Sequence, residues 1–255
     1  MPLLSRPAPS AQPAPRRAHT APTPVALAGA HAQVRIAGTL VEALPDGALW
    51  IASARTLVVS DVHFEKGSAY ARGGQMLPPY DTRAALKRIG ALIAALKPER
   101  VVSLGDSFHD VDGPHRMDES DRTVLADLMA RCEWVWILGN HDPEIPESFG
   151  GVQLSELRIE SLVLRHEPHE GDAPGEIAGH LHPCAKVAGR GRSVRRRCFA
   201  VDENRLVMPA FGAYTGGLNV RDEAFDPIFP NGAMALVISR HRVLPAPYAR
   251  LLPDA

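Results

Sequence analysis

A chain of 255 residues, 45% of them hydrophobic, is long enough for one α/β domain with a sizeable core. Its 28 Lys+Arg against 29 Asp+Glu leave a formal charge of -1, so no global field selects a polyanionic partner, although a local basic patch could still supply one. No run approaches the ~18 consecutive apolar residues of a membrane span, the N-terminus lacks a compact apolar signal segment, and Cys132, Cys184 and Cys198 are isolated, all of which points to a cytoplasmic protein in a reducing compartment.

From Met1 to about Ala30 the chain is rich in proline, alanine and arginine, as in Pro13-Ala14-Pro15-Arg16-Arg17, with almost no periodic apolar signal. Such composition predicts a disordered tail over 1–30 and one folded domain over 31–255. Val34-Arg35-Ile36 and Leu40-Val41 read as strand material, and Pro45-Asp46-Gly47 supplies a turn before Leu49-Trp50-Ile51. This hairpin leads into a first buried strand, Thr56 to Ser60. Between Asp81 and Lys97, the residues Ala85, Leu86, Ile89, Leu92, Ile93 and Leu96 share one face at helical spacing, with Asp81 available as N-cap. Val101 to Leu104 reads as the next strand, Ser120 to Arg131 as a shorter helix, and Trp134 to Leu138 as a third strand. Alternation of strand and helix predicts a mostly parallel sheet covered by helices. After Gly151 short apolar runs take over, among them Ser161 to Leu164, Glu176 to Ala178, Cys198 to Val201, Leu206 to Met208 and Ala233 to Ile238. They predict a second sheet packed on the first, giving an α/β fold of two packed β-sheets flanked by helices.

Polar groups of one chemical kind follow the apolar strands. Ser60-Asp61-Val62-His63 follows the first, Gly105-Asp106-Ser107-Phe108-His109 the second and Gly139-Asn140-His141-Asp142 the third. In parallel α/β sheets the C-terminal strand ends share one edge, where loops converge on ligands. His166 and Gly179-His180-Leu181-His182 follow runs in the β-rich half, so six of the eleven histidines sit where strand order can bring them together. Carboxylate oxygens, an amide oxygen and neutral imidazoles suit manganese, iron or zinc, and the absence of cysteine from every cluster argues against a structural zinc site. The set is too large for one ion; two ions sharing a bridging carboxylate would use it fully.

Asp61-x-His63, Gly105-Asp106-x-x-His109, Gly139-Asn140-His141-Asp142, His166 and Gly179-His180-x-His182 together resemble the ordered motifs of calcineurin-like metallophosphoesterases. That resemblance implies a four-layer α/β/β/α sandwich and two divalent ions, most readily Mn2+, with Fe or Zn as alternatives. It implies that Asp61, His63, Asp106 and His182 hold one ion and Asp106, Asn140, His166 and His180 the other. His141 would then protonate the leaving oxygen, with Asp142 orienting it. The chain is also similar to the bacterial ligase-associated DNA damage response endonucleases, through Asp61-Val62-His63-Phe64-Glu65-Lys66-Gly67, Leu77-Pro78-Pro79-Tyr80-Asp81-Thr82, Leu104 to Asp110 and Pro209 to Gly217. This second resemblance implies a phosphodiesterase acting through a metal-bridging hydroxide, a DNA substrate, and ligase or helicase partners in repair.

Each residue also has a plainer reading. Asp61 and Asp106 could be turn formers, and His109 could lie in the metal shell or contact substrate. Lys66 could meet a substrate phosphate or be a solvated lysine. The run from Gly189 to Arg197, with Arg195, Arg196 and Arg197, could touch a nucleic-acid backbone or form a solvated basic hairpin. The function expected is a DNA endonuclease, with a phosphatase, a small-nucleotide phosphodiesterase or a non-catalytic metal-binding scaffold for a repair complex as alternatives. The oligomeric state is left open.

Overall fold

The computed structural model describes residues 25–254 except 190. Part of the tail expected over 1–30 is folded: β1 (Val25–Ala28) pairs antiparallel with β2 (His31–Ile36), in a register running from Val25↔Val34 to Ala28↔His31. No periodic signal marks this strand because most of it is exposed, and its pairing with β2, with Val25 against the core, holds it in place. The remainder of that expectation, residues 1–24, lies outside the described residues.

A meander of β2, β3 (Thr39–Ala43) and β4 (Leu49–Ile51) leads into β5 (Thr56–Ser60). Then come α1 (Lys66–Arg72), α2 (Asp81–Leu96), β6 (Arg100–Leu104), α3 (Gly113–Arg116), α4 (Glu119–Met129), β7 (Glu133–Ile137) and β8 (Val152–Leu154). Among the described residues β1 to β8 form one sheet in sequence order, with β5, β6, β7 and β8 parallel. Their C-terminal ends therefore face one edge. Asp81 is the first residue of α2 rather than its cap; its Oδ2 accepts from Gly67 N at 2.9 Å and ties α2 to α1.

The second sheet takes β9 (Glu156–Ile159), β10 (Leu162–Arg165), β11 (Glu176–Ala178), β12 (Cys184–Gly189), β13 (Arg192–Val201), β14 (Arg205–Val207), β15 (Met234–Ile238), β16 (Val243–Ala246) and β17 (Leu251–Leu252). Its main path runs β16-β15-β13-β14-β11-β10-β9, and β12 leaves it to pair with β13 and β17.

Strand parity sorts the core. Val58, Val102, Val135 and Ile137 point at Leu164, Ile177, Phe199, Leu206 and Leu236 of the second sheet, while Leu57, Val59, Val101, Trp134 and Trp136 point at Leu86, Ile89, Ile93, Leu125 and Leu128 of α2 and α4. The two packed sheets expected from the sequence are thus present, with α2 and α4 on the outer face of the first. Among the described residues the outer face of the second sheet is covered not by an α-helix but by Val220, Phe225, Ile228 and Phe229, around a 3-10 turn at Glu223–Phe225. Pro227 and Pro230 follow that turn, and proline cannot extend it into a helix.

Candidate metal centre

The loops after β5, β6 and β7 meet those after β10 and β11. Asp61, His63 and Asp106 are buried, with left-handed φ of 51°, 48° and 45°, and His180 and His182 also have positive φ, of 67° and 46°. Non-glycine residues hold such backbone only where the surroundings over-determine it. Two glycines permit the close approach: a Cβ on Gly105 would overlap the His166 ring, and one on Gly179 would overlap Ser60 Oγ and stand 2.5 Å from Asp61 Oδ2.

The side chains form three overlapping groups of possible donors: His63, His109 and His141 make one, and the other two carry the expected ligands. Asp61, His63, Asp106 and His182 each bring one ligand atom within 4.8 Å of the others, and so do Asp106, His166 and His180. Asn140 joins the second, its Oδ1 lying 2.9 Å from His166 Nε2 and 3.0 Å from His180 Nδ1, with those two nitrogens 3.3 Å apart. In the first, His182 Nε2 stands 3.1 Å from Asp61 Oδ1 and 3.5 Å from His63 Nε2. Ligands at about 2.1 Å from one cation and about 90–110° apart are separated by roughly 3.0–3.4 Å, so these spacings fit a metal ion in each of these two groups. Asp106 belongs to both.

Protonation suits the same occupant. Burial pulls the His63 imidazole down to about 3 against the pull of Asp61 and Asp106, and burial followed by the charge of His166 lowers His180. Both stay neutral with lone pairs free. Burial alone would raise Asp106, but its hydrogen bond and charge partner His166 hold it below the usual carboxylate range. Asp61 is braced by Ser60 Oγ at 2.6 Å and by His180 N at 3.2 Å, so its carboxylate is oriented without a cation.

The profile of the family described as calcineurin-like phosphoesterase matches residues 54–190. The chain belongs to this family. It is a metal-dependent phosphoester hydrolase. Among solved structures it is similar to the nuclease MPE of Pseudomonas putida, at 26% identity and a TM-score of 0.65 over 85% of this chain and 100% of that one. The phosphoesterase Yfce of E. coli matches at 14% identity and a TM-score of 0.37, over 76% of this chain and 98% of that one. A protein of unknown function from Aquifex aeolicus, AQ665, matches at 20% identity and a TM-score of 0.36, over 50% and 78%. No curated protein matches the chain.

Beside the two expected ligand sets of this phosphoesterase stands His141. Its Nδ1 lies 2.6 Å from the His109 carbonyl, its Nε2 lies 3.9 Å from Asp106 Oδ2, and its backbone N–H donates to Asp106 Oδ1 at 3.0 Å. The carbonyl of His109 therefore orients the ring, in place of the expected Asp142. Asp142 instead accepts from Phe108 N at 3.0 Å and Gly139 N at 3.2 Å, pinning the β6 and β7 loops together, and burial pushes its carboxyl up to about 7. The short Asn140-His141-Asp142 spacing turns the two side chains in different directions, which the motif could not reveal.

The His109 ring stacks on that of His141 at 5.5 Å, meets His63 edge-on at 5.5 Å, and keeps a buried Nδ1 without a hydrogen-bond partner. Lys66 is not a solvated lysine: it is buried at the start of α1, within electrostatic reach of Asp106, His63 and His109, and burial lowers its pKa.

The arginine run splits by position along β13, with Arg195 opposite Lys186 toward the hairpin end and Arg197 opposite Cys184 at the body of the sheet. Arg195 is exposed, ion-pairs with Asp254 at 3.3 Å and donates to Gly217 O, and Arg196 is exposed with Nη1 on Arg195 O at 3.0 Å. Arg197 is enclosed, donating to Ala210 O at 2.5 Å and Phe211 O at 3.4 Å, so it is a structural group rather than a substrate contact. Ser60, whose Oγ braces Asp61, is a residue of the site to which sequence reasoning gave no role; nothing local marks a serine before a motif.

Proposed function

We propose that the chain is a two-metal phosphodiesterase that cleaves DNA, an endonuclease of ligase-associated repair. The carrying observation is one carboxylate, Asp106, common to two donor groups, with His141 beside it and outside both. Likeness to a bacterial nuclease over most of the chain supports a nucleic-acid substrate. On this reading a single catalytic domain runs from β1 onward in a cytoplasmic protein.

Asp61, His63, Asp106 and His182 hold one divalent ion, and Asp106, Asn140, His166 and His180 the other, with manganese the leading candidate. When bound, such ions acidify water and place positive charge against the phosphoryl oxygens. With the Nδ1 proton of His141 donated to the His109 carbonyl, Nε2 is the nitrogen that gains and loses a proton, so the protonated ring can deliver it to the departing oxygen. Lys66 and the exposed Arg195 and Arg196 supply cations for substrate phosphates, with His109 at the mouth of the site.

Purified protein with Mn2+ is to be offered single- and double-stranded DNA beside a small phosphomonoester. DNA cleavage is expected. Turnover of the monoester with DNA left intact would remove the nuclease assignment and favour a phosphatase.

A further inference from the structure

The loop from Pro209 to Gly212 lies directly behind Asp61. Phe211 N donates to Ser60 O at 2.8 Å and Gly212 N to Asp61 O at 3.2 Å, while a Cβ on Gly212 would overlap the carbonyl of Val62. Asp61 itself is held in left-handed backbone at φ 51°. On its other side it has a single backbone bond, Asp61 N to Gly105 O at 3.2 Å. The 209–212 loop is therefore one wall of the backbone clamp on a proposed metal ligand.

Two guanidinium groups hold that loop from behind. Arg88 of α2 donates to Phe211 O at 2.8 Å, also to Asp46 O in the β3–β4 turn, and stacks over the Phe211 ring at 3.9 Å. Arg197 of β13 donates to Ala210 O and Phe211 O. Both meet carbonyls, and among the described residues neither makes an ion pair with a carboxylate. Burial, then the neighbouring Arg197 cation, brings Arg88 down to about 10, and burial lowers Arg197, so both remain charged at neutral pH. Asp46 is an electrostatic partner of both but forms no ion pair with either among the described residues, and packing alone would be better served by apolar side chains of the same volume. What the guanidiniums supply is several fixed donors aimed at two consecutive carbonyls, which sets the orientation of the Ala210-Phe211-Gly212 peptides.

We infer that Arg88 and Arg197 are positioning residues of the candidate metal centre: together they fix the 209–212 loop, which locks the backbone of Ser60 and Asp61 and so aims the Asp61 carboxylate at the first ion. This rests on the two-ion reading above. It assigns the larger effect to the first ion, because Asn140, His166 and His180 stand on other loops, and His166 and His180 meet Asp61 without sharing its backbone clamp.

The test is Mn2+ titration of chelated protein, reading free Mn2+ by its electron paramagnetic resonance signal. Wild type is expected to take up two ions. Arg197→Met, which keeps the apolar stem, and Arg88→Met should each weaken one ion about ten- to a hundredfold and leave the other within about threefold. Arg197→Lys and Arg88→Lys, which keep the charge without the planar fork, should recover part of the loss and serve if either methionine variant does not fold. Val41→Ala, in the core between the sheets, is the control for lost stability alone and should bind both ions as wild type does. Unchanged Mn2+ affinity in folded arginine variants overturns the inference and leaves the two-ion reading standing; so does an equal loss in Val41→Ala. Wild-type protein that takes up no Mn2+ brings down both.

Discussion

The sharing of Asp106 makes a quantitative claim about metal-dependent stability. An ion that binds only the folded chain stabilises it by about 2.7 kcal/mol at a free concentration about 100 times its Kd. For a chain of this size about 1 kcal/mol moves the melting temperature by roughly 2–4 °C, so one ion is worth roughly 5–11 °C and two roughly twice that. His180→Ala removes a ligand from one group and leaves the set of Asp61, His63, Asp106 and His182 whole, so about half of the Mn2+ response should survive. Asp106→Asn keeps the shape and the acceptor for His141 N, yet takes the common carboxylate from both groups, so almost no response should remain. Scanning fluorimetry of chelated protein on graded MnCl2 reads both. An Asp106→Asn response as large as that of His180→Ala would refute the shared carboxylate, and a flat wild-type response would refute the metal centre.

Three further outcomes follow from the geometry. His141→Ala should lower kcat on a chromogenic phosphodiester about 10²- to 10⁴-fold while Mn2+ uptake is unchanged, and unaltered turnover would remove its role as acid. Gly105→Ala forces a Cβ into the His166 ring at a backbone φ of 69°, so urea unfolding should show a loss of about 1–3 kcal/mol and weakened binding of the second ion; a neutral variant would mean that the two loops separate freely. Burial raises the pKa of all three cysteines, that of fully buried Cys198 the furthest, and the thiolate is the reactive form. Thiol reagents should therefore label native protein slowly at half-buried Cys132, and Cys184 and Cys198 only on unfolding, which peptide mapping would check.

Local pattern carried much of this protein. Apolar runs bounded by turns located β5, β6 and β7, helical spacing located α2 and α4, and the placement of Asp61, Asp106 and Asn140 just past strand ends was enough to expect their convergence, because parallel pairing turns all those ends to one edge. Two kinds of feature depended on partners far away in the chain. Backbone conformation was one: β1 exists because β2 pairs with it, and α1 starts from Glu65 at a φ of 66°, which its composition does not announce. Side-chain direction was the other. Asp142 turns to the backbone of Phe108 instead of its neighbour His141, and of three successive arginines only Arg197 is enclosed, since its place on β13 opposite Cys184 brings it against the loop behind Asp61. The sequence on its own determined which chemical groups arrive at the sheet edge; their mutual aim came from contacts that form only once both sheets have packed.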